Sequence, residues 1–419
     1  MPTPMDLAEA YGPQLEHVRP KLQTMFQTDA GLYGEIEDKT DSAEGVSMRQ
    51  SRIPLSLAQF GYFQQFNPDG GDMGVGDGGV TDALTLVPIF LEQAASWTAL
   101  TEWATDTSKK SVENIVSEVI DETLMQFKSN IDALLSASAG DGSLDTVVSS
   151  TAGTITVNNA NLFQDQGIYQ LVSAGGVIRG NFTIAYCDAN QNVLNINGSI
   201  PGGITAGDKI YIAGSSTAAQ SSLFGIPYLQ LNGNTGTYVG LNKATYPGRL
   251  STPTFAVSGA ITQLTIRRLL NDIDTALGLD YTKDHKVIFH GNLDQAAGWE
   301  LVGVAVSQII HNQLKGDSSQ DMLMKEMPLT AAGRTFFKNI HAIPGRIDAL
   351  CLDSWGKVVN KKIDQYSVGG MTMFPAYGGS GGIAAQTLTY YVCGLQIYNA
   401  NPRAGTYVTG LSKPYALGA

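Results

Sequence analysis

Apolar side chains recur at Val112, Ile115, Val116, Val119, Ile120, Leu124, Phe127, Ile131, Leu134 and Leu135, in steps of three and four. That spacing draws one continuous stripe along an α-helix. Asp106, Thr107 and Ser108 offer capping oxygens ahead of it, and Asp141 and Gly142 close it. About 25 helical residues at 1.5 Å each make a rod of roughly 37 Å. A compact domain of modest size has no room for such a rod, so the spacing predicts a helix that serves as the backbone of an elongated one.

The residues before the rod are extended. VSMRQSRIPLSLAQFGYFQQF (46–66) and the first half of VTDALTLVPIFLEQAASWTALTEWA (80–104) read as strands. Between them lies NPDGGDMGVGDGG (67–79), a glycine-rich tip. Two extended runs flanking a flexible tip predict a long β-hairpin over 46–92. Pro54 confines its first arm to an edge, because proline donates nothing to a ladder. A two-stranded hairpin is marginal alone in water, so this one needs a neighbour to lie on. Residues 1–45, polar and acidic with scattered apolar positions, read as an arm with short helical pieces and no core.

Residues 144–217 alternate apolar and polar positions between Gly, Asn and Asp turns such as NQN and GSIPGG. Short strands at close spacing predict an inserted small β-barrel or sandwich with its own core. From 260 the pattern is mixed. QLTIRRLLNDIDTALG is an amphipathic helix closed by Gly278. KVIFH is a strand, LDQAAGWELVGVAVSQIIHNQL a helix, and IHAIPGRIDALCLDS a strand again. QTLTYYVCGLQIYNANPRAGTYVTGL reads as a closing hairpin or strand pair. No Asp or Glu follows Asp364, so this closing stretch is expected to pack inward or against another chain.

Composition narrows the function. Of 419 residues 43% are hydrophobic, only 15% are charged, and 47 are glycine. Soluble domains usually carry roughly 25% charged residues. The surface here is built largely of uncharged Ser, Thr, Asn and Gly, which another subunit can bury without stranding ions. The formal net charge is −12 and no Lys/Arg run exceeds a pair, which argues against gripping nucleic acid through phosphates. An acidic container for DNA remains permitted. Cys187, Cys351 and Cys393 lie far apart without CxxC spacing, so neither a disulfide framework nor a zinc site is expected, and they suit a reducing compartment. The opening residues show no signal-peptide pattern, and no apolar stretch approaches the ~20 residues that span a bilayer. A soluble protein made in the cytoplasm is expected.

GGDMGVGD approximates the rhythm of a calcium-binding glycine repeat, but calcium takes roughly six to eight oxygens, which such repeats supply only when stacked. A phosphate loop would need a lysine after the glycines and a helix behind them. Ser380 in GGSGG matches the nucleophile elbow, yet no Asp, Glu or His follows it to complete a triad. His17, His285, His290, His311 and His341 show no metal spacing, and only His285 and His290, flanking one strand, are placed to share a metal with a distant carboxylate. GEIEDKTD (34–41) is a solvated acidic face. The sequons at Asn181 and Asn197 have no meaning without secretion. No catalytic residue, cofactor or metal ligand is assigned.

Three segments carry a family resemblance in collinear order. GTYVGLNKATYPG (236–248) is similar to the segment leading out of the spine region in the major capsid proteins of tailed double-stranded DNA bacteriophages. KVIFHGNLDQAAGWE (286–300) resembles the strand, loop and helix of their axial domain, and YYVCGLQIYNANPRAGTYVTGL (390–411) their closing strands. The resemblance implies the Hong Kong ninety-seven type fold, shared with encapsulins: an α+β chain with N-terminal arm, extended hairpin loop, spine helix, mixed axial domain and, here, an inserted barrel-like domain. It implies an arm at 1–45, the hairpin loop at 46–92, a peripheral domain with the spine at 93–143, the insertion at 144–217, a peripheral return at 218–259, an axial domain at 260–385 and closing strands at 386–419. Function follows as a structural one. Hexamers and pentamers of the chain would build an icosahedral head shell around DNA in a virion assembled in the bacterial cytoplasm, with portal, scaffolding or decoration proteins as further partners. An encapsulin-like nanocompartment and a β-rich, calcium-dependent binding protein are the alternatives.

Overall fold

The computed structural model describes residues 31–42, 50–57, 65, 68–69, 79–99, 115–213, 223–302, 330–331, 334–377 and 383–414. The chain folds into two compact units, each gathered from three stretches of sequence. The first holds residues up to 34, 89–223 and 359–395; the second holds 35–88, 224–358 and 396 onward.

The second unit contains the root of the hairpin expected over 46–92, whose last residues, 89–92, instead open a strand of the first unit. β1 (Ser51–Ser56) pairs antiparallel with β2 (Thr81–Leu86), Pro54 standing opposite Ala83 in a two-stranded sheet. In the first unit β3 (Ile89–Thr98) runs beside the long helix, described over Ile115–Ala137. Its stripe is buried at Phe127, Ile131, Leu134 and Leu135. The capping candidates Asp106, Thr107 and Ser108 lie outside the described residues.

The insertion is a closed six-stranded barrel. β4 (Asp145–Thr151), β5 (Thr154–Val157), β6 (Ile168–Val172), β7 (Ile178–Asp188), β8 (Val193–Asn197) and β9 (Lys209–Ile212) join in the order β4-β5-β8-β7-β6-β9, and β9 returns to β4. Period-two alternation turns Ile155, Leu171, Ile184, Leu194 and Ile210 into a sealed interior. An amide chain ties the barrel to the helix and β3. Gln164 donates to Asn130, Asn130 to Gln93 at 3.0 Å, and Gln93 to Gln126 at 2.8 Å.

The second unit is built on a six-stranded mixed sheet. After the short pair β10 (Thr237–Tyr238) and β11 (Leu241–Asn242) come β12 (Thr254–Gly259), β13 (Val287–Gly291), β14 (Thr330–Ala331), β15 (Arg334–Lys338) and β16 (Ile347–Cys351). With the last strand, β20 (Thr406–Leu411), the order is β12-β20-β16-β13-β15-β14. β13 and β16 are buried at every position, which accounts for the apolar Val287, Ile288 and Phe289 of one and the apolar Ile347, Ala349 and Leu350 of the other. The predicted helix appears as Gln263–Leu277, capped by Thr262 Oγ1 accepting from Thr265 N–H and stopped at Gly278, φ 134°. Its Ile266, Leu269 and Ile273 pack with Phe289, Phe336, Ile347, Val408 and Trp299, the last from a helical run over 293–302.

Three expectations change. The closing stretch forms no hairpin: β20 lies between parallel β12 and antiparallel β16, while β19 (Ile383–Asn399) pairs over ten residues with β3. Residues 260–385 are not one block, because β17 (Trp355–Gln365) and β18 (Met373–Tyr377) join the sheet of β19 and β3. Strand partners are chosen across long sequence separations, which local patterns do not encode. Within the 1–45 arm, Leu32 and Ile36 are buried, and Lys357 exchanges backbone hydrogen bonds with Glu37 and Lys39. Two well-placed apolar residues and one backbone bridge suffice to seat a polar segment. Among the described residues no helix is long and apolar enough to cross a membrane.

Candidate assembly surfaces

The chemistry candidates scatter. His285 stacks on Tyr281, ring centroids 3.9 Å apart, with Nδ1 3.0 Å from the Tyr281 carbonyl. His290 is buried on β13, its Nδ1 3.9 Å from Asp348 Oδ2. The two histidines flank one strand but take different partners. Asp348 is paired with Arg346, whose Nε lies 2.7 Å from Oδ1 and whose guanidinium sits 4.0 Å over the Tyr407 ring. Burial pushes the Asp348 pKa up, but Arg346 and His290 outweigh it and hold the carboxyl below its ordinary value. His341 is buried; His17 and His311 lie outside the described residues. The three cysteines are free, and burial raises the thiol pKa of Cys187 and of Cys393 to about 12. Among the described residues no three His, Cys, Asp or Glu side chains converge as a metal site. Ser380 and nearly all of the glycine-rich tip lie outside the described residues.

What the structure does build is a socket for the hairpin root. The polar appearance of β1 and β2 is one-faced: Ile53, Leu84 and Leu86 are buried, as is Leu57 beyond the strand. For this root the neighbour that the hairpin needs is its own chain, specifically the TYVGLN segment. Thr85 N–H donates to the Val239 carbonyl at 3.0 Å. Val239 adopts φ 45° and Gly240 φ 87°, turning β10 into β11. A side chain at Gly240 would bring a Cβ within 3.0 Å of Thr85 Cβ, so the strand can approach only glycine. Val239 N–H donates to Tyr228 Oη at 2.9 Å, and Tyr238 Oη donates to the Asn399 carbonyl at 2.7 Å. At the outer end Tyr246 Oη donates to Asp82 Oδ2 at 2.7 Å. That bond, the Ala83 amide and Arg52 lower the Asp82 pKa. GTYVGLNKATYPG therefore receives the hairpin, a role its sequence did not disclose. The available signal was Gly240 within a Tyr-Val-Gly-Leu turn.

Comparison with known proteins gives a fold. No protein-family model and no curated protein matches the sequence. Among solved structures, the cyanophage A-1(L) capsid asymmetric unit matches with a TM-score of 0.57 and 11% identity, covering 94% of this chain and 96% of that one. The capsid of Myoviridae phage XM1 matches at 0.48 and 12% identity, covering 95% and 98%. The SrpI encapsulin complex of Synechococcus elongatus matches at 0.46 and 8%, covering 97% of each chain. The fold assignment rests on the first of these, which spans nearly the full length of both chains. This chain has the phage major capsid fold, with a closed β-barrel inserted between its long helix and its return to the second unit.

Proposed function

We propose that the chain is the major capsid protein of a tailed bacteriophage, assembling as hexamers and pentamers into an icosahedral head shell around double-stranded DNA. The observation that carries this reading is a capsid fold matched from end to end. The residues agree with it: a low-charge surface suited to burial against copies, an acidic balance that does not clamp the contents, and a hairpin rooted in a dedicated socket. On this reading the hairpin beyond its root, within 46–92, lies across a neighbouring subunit, the long helix is the spine, and the sheet and helices of 254–351 gather at the five- and six-fold axes. Its mechanism is assembly, without a chemical step: many interfaces of modest energy add up around a closed shell. Assembly takes place in the host cytoplasm, the product is a virion, and portal, scaffolding or decoration proteins are the further partners.

Expression of the full chain followed by sedimentation and electron microscopy tests this. The expected image is hollow or filled polyhedra on the order of hundreds of ångströms across, as closed point-group assembly of many copies requires. Dispersed monomers under all assembly conditions would overturn it. Particles that enclose a cargo protein and no nucleic acid would place the chain with encapsulins instead.

A further inference from the structure

The turn between β17 and β18 presents apolar side chains on a fixed backbone. Val368 and Met371 exchange backbone hydrogen bonds of 3.0 and 3.1 Å around Gly369 and Gly370. Those glycines have φ of 61° and 86°, the positive pair that a two-residue type I′ turn demands. Below it, Tyr366 N–H donates to the Tyr390 carbonyl at 2.8 Å, and the rings of Tyr366, Phe374 and Tyr390 follow one another at 5.9 and 6.1 Å. On this support Tyr366 is 47% exposed, Val368 51%, Met371 60% and Met373 44%. Four large apolar side chains within eight residues are thus left exposed around one turn, and apolar surface gathered in this way marks an interaction site.

The run of sequence that carries the turn is free of ions beyond Asp364. Between Asp364 and Arg403 there is no Asp, Glu, Lys, Arg or His, in a chain of net charge −12. Two copies of an acidic protein repel, so their contact is most favourable where neither side carries an ion to desolvate or oppose. A pre-ordered turn also loses little conformational freedom on contact. We propose that this turn is a docking knob through which one copy of the chain meets another, with Val368 and Met371 at its centre. The inference rests on the shell reading and names one of its contacts.

The test uses full-length chain carrying Met371→Asp, beside wild type, Met371→Leu, and Val177→Asp as a control at an exposed apolar site on the barrel. Met371→Asp is expected to give at least about tenfold fewer sedimenting particles, as loss of one central contact repeated over the shell implies, while Met371→Leu and Val177→Asp assemble normally. Circular dichroism of the unassembled variant should match wild type. A second measurement needs no variant: peroxide oxidation of Met371 and Met373, read by mass spectrometry, should be at least about tenfold slower in particles than in dissociated chain, because a covered thioether is shielded. Wild-type particle yield from Met371→Asp, or equal oxidation rates in the two states, overturns the proposal. So do normal shells that lose only the binding of a different protein. Wild-type chain that never forms particles sinks the shell reading itself, a result distinct from any variant-specific outcome.

Discussion

Tyr246 donates a 2.7 Å hydrogen bond to the Asp82 carboxylate across 164 residues of sequence, fastening β2 to the segment that houses the hairpin root. The same segment holds Thr85 through the Val239 carbonyl. The root of the hairpin is thereby fastened to its own chain at two points along β2.

Tyr246→Phe should loosen that base without unfolding the unit. Both groups are exposed, so the effect is local: amides of 81–86 should exchange a few-fold faster, read by hydrogen-exchange mass spectrometry. The Asp82 pKa is lowered in the folded state, so its contribution is present above the ordinary Asp range and lost as pH falls through the folded value. Acidification should reproduce the Tyr246→Phe pattern in wild type and add little to it in the variant.

Gly240→Ala tests the close approach of the hairpin. Gly240 and Gly236 share nearly the same backbone, φ 87° and 86°, but only Gly240 faces Thr85, while nothing lies within 4 Å of a Cβ at Gly236. A left-handed alanine costs about 1–3 kcal/mol at either site. Denaturant unfolding should show Gly240→Ala to be the more damaging, and Gly236→Ala should report the backbone cost alone.

Asp348→Asn should strongly destabilise the second unit, because it leaves the Arg346 guanidinium buried without its counter-charge. Breaking such a pair costs about 3–5 kcal/mol, whereas Arg346→Met with Asp348→Leu should recover most of it. The Asp348 pKa is held below its ordinary value, so the pair stabilises above that range and the benefit disappears as pH falls through the folded value. Urea midpoints measured from neutral to acidic pH should fall in wild type and stay flatter in the double variant.

Leu194→Ala removes a wholly buried side chain from the barrel. Such truncations cost about 2–5 kcal/mol. Because the barrel seals its own interior, the loss should appear as selective hydrogen exchange and proteolysis within 145–212, with the six-stranded sheet of the second unit unaffected.

Elements written in a local period were legible. The stripe through Phe127, Ile131, Leu134 and Leu135, the Thr262-to-Gly278 helix, the alternating strands of the insertion and the Pro54-marked root of the hairpin each record their own burial pattern. The socket was not legible, because nothing in TYVGLN states that Thr85 will approach Gly240. The arm was misjudged at Leu32 and Ile36, since two apolar residues in a polar stretch make no period. The apolar turn at 368–371 was foreshadowed only as the absence of carboxylates after Asp364.

The sequence by itself determined the elements and a surface poor in charge, because helix and strand periodicity and ion count are properties of neighbouring residues. The tertiary structure alone decided which strands share a sheet, sending β19 to β3 and β20 to β12 and β16. It also decided that the hairpin is rooted in its own chain, and that Val368 and Met371 face water. Each of those outcomes depends on contacts between residues far apart along the chain, settled by closing the whole chain at once.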